Sequence, residues 1–358
     1  MLITICQDGS RKGARESLNK LNARLLGEIY QENFFIHELP DITDILFFLK
    51  YRYIYGYIDG ITEQFIKAAI QKIRSNTITK VFIDGSNLGL MAQEIKRNCP
   101  SVCIYTCFHN VEARFFYGSL KKTKTIKALL VMLANYLAER KSVKYSDVRI
   151  MLNLRDSEML NKIYGKPATH ISALTVPDTR FNRSINKIEI GKSGYALFVG
   201  GSFYANRYGL EWYAQNVAPN VLIKTLVVGR GFDKLKNVLE KNSNIEVIGE
   251  VDCMASWYEN ADFVVAPIFD GSGMKTKVGE ALMFGKMVIG TSEAFCGYED
   301  ALPTAGIVCD TKEDFIDAIQ NNRINQQSKY NIEAVRLYEA IYSPDAAKLR
   351  LVKILKDK

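Results

Sequence analysis

The sequence predicts an α/β protein built from two doubly wound, parallel-sheet domains, and three of its features carry that reading. Short β-branched or apolar runs alternate with stretches of helical periodicity through both halves of the chain. That pattern belongs to βαβ units rather than to hairpins or helical bundles. The runs are apolar on both faces, as strands covered by helices on either side must be. The chain also has 358 residues, more than one core ordinarily holds, so two domains are expected.

In the first half, strands are expected at 2–6, 80–83 and 102–107, with amphipathic helical stretches such as 17–30 and 61–74 between them. Residues 2–6 have no basic region before them and no cleavage-site pattern after them, so they read as a first strand and not as an export signal. In the second half, strands are expected at 196–199, 223–228, 245–248, 263–266, 288–290 and 306–308. Helical periodicity falls between them, for example at 234–241 and 311–321. A polar, turn-rich segment between Val176 and Gly194 breaks the pattern and places the domain linker at 181–194. An N-terminal domain over 1–180 and a C-terminal domain over 195–340 follow, with a last helix at 341–358 that packs back toward the N-terminal domain.

Composition narrows the class. At 47% apolar and 24% charged residues the chain reads as an ordinary soluble globular protein. No apolar run approaches the ~20 residues a membrane-spanning helix needs. Seven cysteines lie scattered without paired spacing, which points to a reducing, cytoplasmic setting rather than a disulfide framework. Cys99, Cys103 and Cys107 recur at spacing four, but the segment reads as a buried strand, where cysteine is a core residue and not a zinc ligand. The formal charge is +8, and the excess gathers where Arg114, Lys121, Lys122, Lys124, Lys127, Arg140, Lys141 and Lys144 surround the apolar stretch 128–137. Such a surface suits the cytoplasmic face of an anionic membrane. The other reading is a core stretch with solvated lysines. No nucleic-acid motif accompanies the basic residues.

The chemistry concentrates in residues 262–282. Asp262 to Pro267 reads as a buried strand, followed by the glycine-rich turn Asp270-Gly271-Ser272-Gly273 and a helix carrying Lys275, Lys277 and Glu280. Gly271 and Gly273 permit a sharp turn that exposes backbone N–H groups, and Ser272 is placed to cap the helix. Free N–H groups at a helix start attract anions, and the two lysines add formal charge. A phosphate cradle beside a carboxylate that can accept from sugar hydroxyls suits a nucleotide-sugar. The plainer reading is a strand, turn and helix whose lysines face water.

Gly271, Ser272, Gly273, Lys277, Glu280 and Ala281 fit the pattern G-S-G-x-x-x-K-x-x-E-A. The segment resembles the donor-site signature of GT-B glycosyltransferases of family 4 (group 1). That resemblance implies two Rossmann-like domains facing across a cleft. It also implies that the amides of Gly271, Ser272, Gly273, Met274, Lys275 and Thr276, together with Lys277, hold a diphosphate while Glu280 binds the ribose. The wider family often carries a glutamate eight residues before Glu280. Here that position is Ser272, which puts the sugar contacts assigned to it in question.

Other strand-end loops extend the comparison. Gly200-Gly201-Ser202-Phe203-Tyr204-Ala205-Asn206-Arg207 resembles the first donor-domain loop, with Gly201 near the diphosphate and Arg207 as its second cation; Arg207 as a surface residue is the even alternative. Gly229, Gly249 and Val251 follow two further strands, where the family holds its nucleobase. His109, Asn110 and Glu112, after another strand, resemble the H-N-x-E segment of the family's acceptor-side domain, which implies that the histidine lines the donor-sugar side. His109, Lys277 and Arg207 are thus the catalytic candidates. Asp8, Gly9 and Arg11, after the first strand, join Asn110 and Glu112 as acceptor candidates. The resemblance implies transfer from a nucleoside-diphosphate sugar, with a UDP-sugar favoured, to a hydroxyl of a glycan or lipid-linked acceptor in cell-surface polysaccharide synthesis, with retention. No D-x-D pair is present where a metal would be expected, so neither metal nor cofactor is anticipated. A non-catalytic partner subunit and a hydrolysing nucleotide-sugar epimerase are the alternatives.

Overall fold

Strands β1 (Leu2–Gln7), β2 (Phe34–Leu39), β3 (Lys80–Asp84), β4 (Cys103–Phe108), β5 (Val148–Met151) and β6 (His170–Ile171) form one sheet in the order β2-β1-β3-β4-β5-β6. Every neighbouring pair in it is parallel. The computed structural model describes residues 1–7, 14–39, 53–181, 194–241, 244–320 and 329–357. Asp8, Gly9, Arg11 and most of the expected linker lie outside the described residues.

The first sheet belongs to a unit made of residues 1–175 and 344–358. Its helices cover both faces, which is why Ile3, Ile5, Val81, Ile83 and Ile104 are buried among the side chains of Glu63–Ser75 and Gly89–Asn98. On the other face, Leu2, Phe82 and Tyr105 meet Leu21, Leu25 and Leu26 of helix Ala14–Tyr30. Ala347, Leu351, Ile354 and Leu355 of the last helix, Pro344–Lys356, complete that cluster.

The second unit spans 176–343. Its strands are β7 (Tyr195–Val199), β8 (Lys224–Val228), β9 (Ile245–Gly249), β10 (Phe263–Ala266), β11 (Val288–Gly290) and β12 (Gly306–Val308), in the order β12-β11-β10-β7-β8-β9. All of its neighbouring pairs are also parallel. This order reverses between β7 and β10. The first sheet reverses between β1 and β3. Open α/β sheets bind ligands at such reversals, beyond the carboxyl ends of the strands.

Three strands of the first sheet escape the sequence pattern for physical reasons. β2 is an edge strand whose residues are mostly half-exposed, so its apolar signal is diluted. β5 is interrupted by Arg149, and β6 has two residues, too few to show a period. The helix expected over 234–241 is a 3-10 turn, Asp233–Leu235, followed by the short helix Lys236–Leu239.

Candidate functional site

In the second unit, the reversal between β7 and β10 brings together two strand-to-helix loops. One runs from Val199 through Gly200 and Gly201 to Phe203 and enters helix Tyr204–Asn216. The other runs from Ala266 through the Gly271–Gly273 turn into helix Thr276–Met283. Backbone hydrogen bonds tie the first loop to its neighbours: Gly200 N–H donates to Val228 O (3.0 Å), and Ser202 N–H donates to Arg230 O (3.0 Å). Gly229 N–H in turn donates to Gly249 O (2.7 Å). A Cβ at Gly229 would lie 1.9 Å from the carbonyl oxygen of Gly200, so only glycine allows these loops to approach so closely.

Lys277 sits at the centre of this arrangement. It is buried, its ammonium is 3.0 Å from Asn206 Oδ1, and it lies 4.1 Å from the centroid of the Phe198 ring. Asn206 Nδ2 donates to Gly201 O (2.8 Å), which turns the amide oxygen toward the lysine. Burial and the neighbouring Lys275 push the Lys277 ammonium down to about 7, against the pull of Glu280. The protein therefore holds a cation at a cost, with a neutral amide as its hydrogen-bond partner, where an incoming anion would relieve it.

Lys275 has a different task. Its Nζ lies 2.9 Å from Gly273 O and 3.0 Å from Glu293 Oε1. It staples the glycine turn, and its charge is matched by a carboxylate. Gly273 has a φ of 67°, left-handed backbone that glycine takes without strain. The helix begins at Thr276 with Lys275 as its N-cap and no side-chain cap, so Ser272 does not cap it as expected. The absence of a capping side chain leaves this helix start available to an anion.

One turn beyond Lys277, Glu280 Oε2 accepts from the buried Tyr258 hydroxyl (2.6 Å), and burial pushes its carboxyl up. Its Oε1 has no hydrogen-bond partner among the described residues. Met274 is buried and Thr276 half-buried, while Gly201 is exposed and Val251 half-buried. Arg207 is exposed on helix Tyr204–Asn216, with its Nε 3.9 Å from Glu211. The structure thus brings Asn206, its neighbour in sequence, to Lys277.

A second cluster lies in the first unit, at the carboxyl ends of β3 and β4. His109 Nε2 is 2.7 Å from Oδ1 of the fully buried Asp84. Asn22 Nδ2 donates to both Asp84 oxygens, at 3.2 and 3.0 Å. Burial, with Asp84 beside it, pushes the Cys107 thiol well up. Asp84, Cys107 and His109 offer donor atoms within 4.8 Å of one another, a group that could hold a metal ion. His109 Nδ1 and Asn110 Oδ1 are buried without a hydrogen-bond partner among the described residues. Two orphaned polar atoms at a strand end invite a ligand. Asp84→Asn is expected to lower turnover about tenfold to a hundredfold by releasing the imidazole from its charged partner. Equal losses in turnover and in thermal stability would instead make Asp84 structural.

Glu112 begins the helix Glu112–Thr123 and is buried. Its N–H donates to Glu139 Oε1 (3.0 Å), and the N–H of Ala113 donates to Glu139 Oε2 (3.2 Å). Ser86 Oγ and the Tyr164 hydroxyl donate to the same carboxylate, at 2.9 and 2.8 Å. Asp84, Asn206, Tyr258, Glu293 and Glu139 escape sequence reading. Each acts through a partner at least 18 positions away, and none carries a motif of its own.

The chain, with its two six-stranded parallel sheets, has the fold of the GT-B glycosyltransferases. Residues 194–322, which contain the Lys277 site, match the family model described as glycosyl transferases group 1. Among solved structures, the chain is similar to sucrose-phosphate synthase from Thermosynechococcus elongatus, with 13% identity, a TM-score of 0.74 and 99% of this chain and 98% of that one covered. It is similar to the Anabaena protein HepE in complex with UDP-glucose, at 9% identity, a TM-score of 0.71 and full coverage of both chains. It is also similar to WaaG, a glycosyltransferase involved in lipopolysaccharide biosynthesis, at 13% identity and a TM-score of 0.62, over 97% of this chain and 94% of that one. No curated protein sequence matches the chain. The chain is thus similar to group 1 glycosyltransferases over most of its second unit and shares their fold along its length.

Proposed function

We propose that the protein transfers a sugar from a nucleoside diphosphate, with a UDP-sugar favoured, to a hydroxyl of a glycan or lipid-linked acceptor in cell-surface polysaccharide synthesis. The observation that carries this reading is Lys277, a buried ammonium with a neutral amide as its hydrogen-bond partner, beside a glycine turn and an uncapped helix start. A diphosphate would complete that site. The complex of HepE with UDP-glucose supports the donor class.

In the proposed step, the bond between the anomeric carbon and the β-phosphate oxygen breaks, and its electron pair stays on the departing nucleoside diphosphate. Lys277 and the amides of the Gly271–Lys275 turn meet the charge that develops there, an electrostatic task that a preorganised site performs best. The acceptor oxygen bonds to the anomeric carbon and gives its proton to the departing phosphate oxygen, with retention of configuration. Glu280 Oε1 accepts from the ribose. His109 and Asn110 are proposed to accept from sugar hydroxyls. The protein's own cations are proposed to serve without a metal ion.

The reading is tested by following diphosphate release from UDP-, GDP-, ADP- and TDP-sugars, with and without lipid extract as acceptor source. Release that requires the extract and survives EDTA is expected. Loss in EDTA with recovery on adding Mn²⁺ would overturn the metal-free step. Donor binding with no release under any condition would favour a non-catalytic subunit, and release of a rearranged free sugar without acceptor would favour an epimerase.

A further inference from the structure

We propose that the helical hairpin Glu112–Thr123 and Ile126–Tyr145 docks on an anionic bilayer through its tip. No residue from Ser119 to Leu133 is buried. In that tip, Ile126, Leu129, Leu130 and Leu133 are 80%, 41%, 44% and 39% exposed. Their spacing of three, four and seven puts all four on one helix face. The remainder of the same helix is anchored in the first unit through Ala134, Ala138, Ser142 and Val143, all buried. The helix therefore has one half built into its unit and one half whose apolar face is exposed among the described residues.

Charge decides what covers it. Between Glu112 and Glu139 the sequence holds five basic residues, Arg114, Lys121, Lys122, Lys124 and Lys127, and no acidic one. Both bounding glutamates are buried, so the exposed surface of the hairpin carries basic, apolar and neutral polar side chains and no acidic one. Tyr117 is half-exposed, and Lys121 Nζ lies 4.8 Å above its ring. Lys124 takes left-handed backbone at the turn, and Thr125 caps the second helix by accepting from Ala128 N–H (3.2 Å). The last two features shape the turn that joins the two helices. A second copy across a two-fold axis would set lysines against lysines with no acid between them. A bilayer with anionic headgroups offers what the hairpin lacks, an apolar interior beneath negative charge. Among the described residues no helix is long and apolar enough to cross a membrane, so the contact is peripheral. None of this depends on the reaction proposed above.

The test is sedimentation of the full chain with vesicles of phosphatidylcholine alone or mixed with phosphatidylglycerol, at low and at high salt. Binding is expected only to the mixed vesicles, and it should weaken as salt is raised. Ile126→Glu with Leu130→Glu should weaken it at least about tenfold. Lys121→Gln and Lys122→Gln should each weaken it about fivefold. All four side chains are exposed, and circular dichroism serves to check that each variant folds. Wild-type protein that stays in the supernatant at low salt overturns the proposal, as does a double glutamate variant that binds normally. Loss of an oligomer in that variant by light scattering, with no vesicle binding by the wild type, would make the face a self-association surface instead.

Discussion

Lys277→Met is expected to abolish most sugar transfer and to stabilise the protein at the same time. Turnover should fall about 10²–10³-fold, the usual effect of removing one preorganised stabiliser of a leaving oxyanion. Stability should rise by about 1–4 kcal/mol, because a buried ammonium with poor compensation is replaced by an apolar side chain of similar length. The pH dependence distinguishes this cause from a packing effect. The lysine sits at about 7 in the folded chain against its ordinary 10.5. Between those values the unfolded chain holds a proton that the folded chain has released, so wild-type stability rises with pH across that window. The methionine variant should lack that slope, which thermal melts at neutral and mildly alkaline pH will show. Donor affinity should run the other way, weakening by up to about tenfold per pH unit above about 7 as the free protein loses the ammonium. A variant that loses turnover but keeps the wild-type stability slope would place the titrating group elsewhere.

Glu139→Ala should be the most destabilising single change in the first unit, by about 3–5 kcal/mol in a urea titration. It would strand two side-chain hydroxyls and the first two N–H groups of helix Glu112–Thr123. Burial pushes this carboxyl up, while its four hydrogen bonds favour the charged form. Glu139→Gln keeps one acceptor oxygen and should lose about half as much. The helix that frays in the alanine variant directly follows His109 and Asn110, so impaired transfer at temperatures well below unfolding is expected with it. A loss below about 1 kcal/mol in the alanine variant would show that water replaces the carboxylate at this helix start.

The alternation of strands and helices made both sheets legible, because a strand covered on two faces must be apolar along its length. Edge and very short strands, such as Phe34–Leu39 and His170–Ile171, carry too little of that signal. The site divides in a similar way. The Gly271–Glu280 segment could be read because its turn, cation and carboxylate are neighbours in sequence. The amide that holds Lys277 could not, since Asn206 meets it across 71 positions. The first donor-domain loop pointed to the adjacent Arg207, whose side chain lies exposed near Glu211. Lys275 shows the limit of reading charge from sequence: two lysines two positions apart differ entirely, because Glu293 neutralises one of them. Asp84 likewise carries no pattern beyond the end of a strand, and only the fold sets it between Asn22 and His109.

The last helix, Pro344–Lys356, lies in the cluster of Leu2, Leu21, Leu25 and Phe82. In topological terms, residues 176–343 form an insert within a unit whose two pieces lie at opposite ends of the sequence. Synthesis from the ribosome proceeds from the N-terminus. The inserted unit therefore has its entire chain available before the surrounding unit receives Ala347, Leu351, Ile354 and Leu355. The half that emerges first is the half that closes its core last, and until then the sheet face that helix Ala14–Tyr30 covers lacks Ala347, Leu351, Ile354 and Leu355.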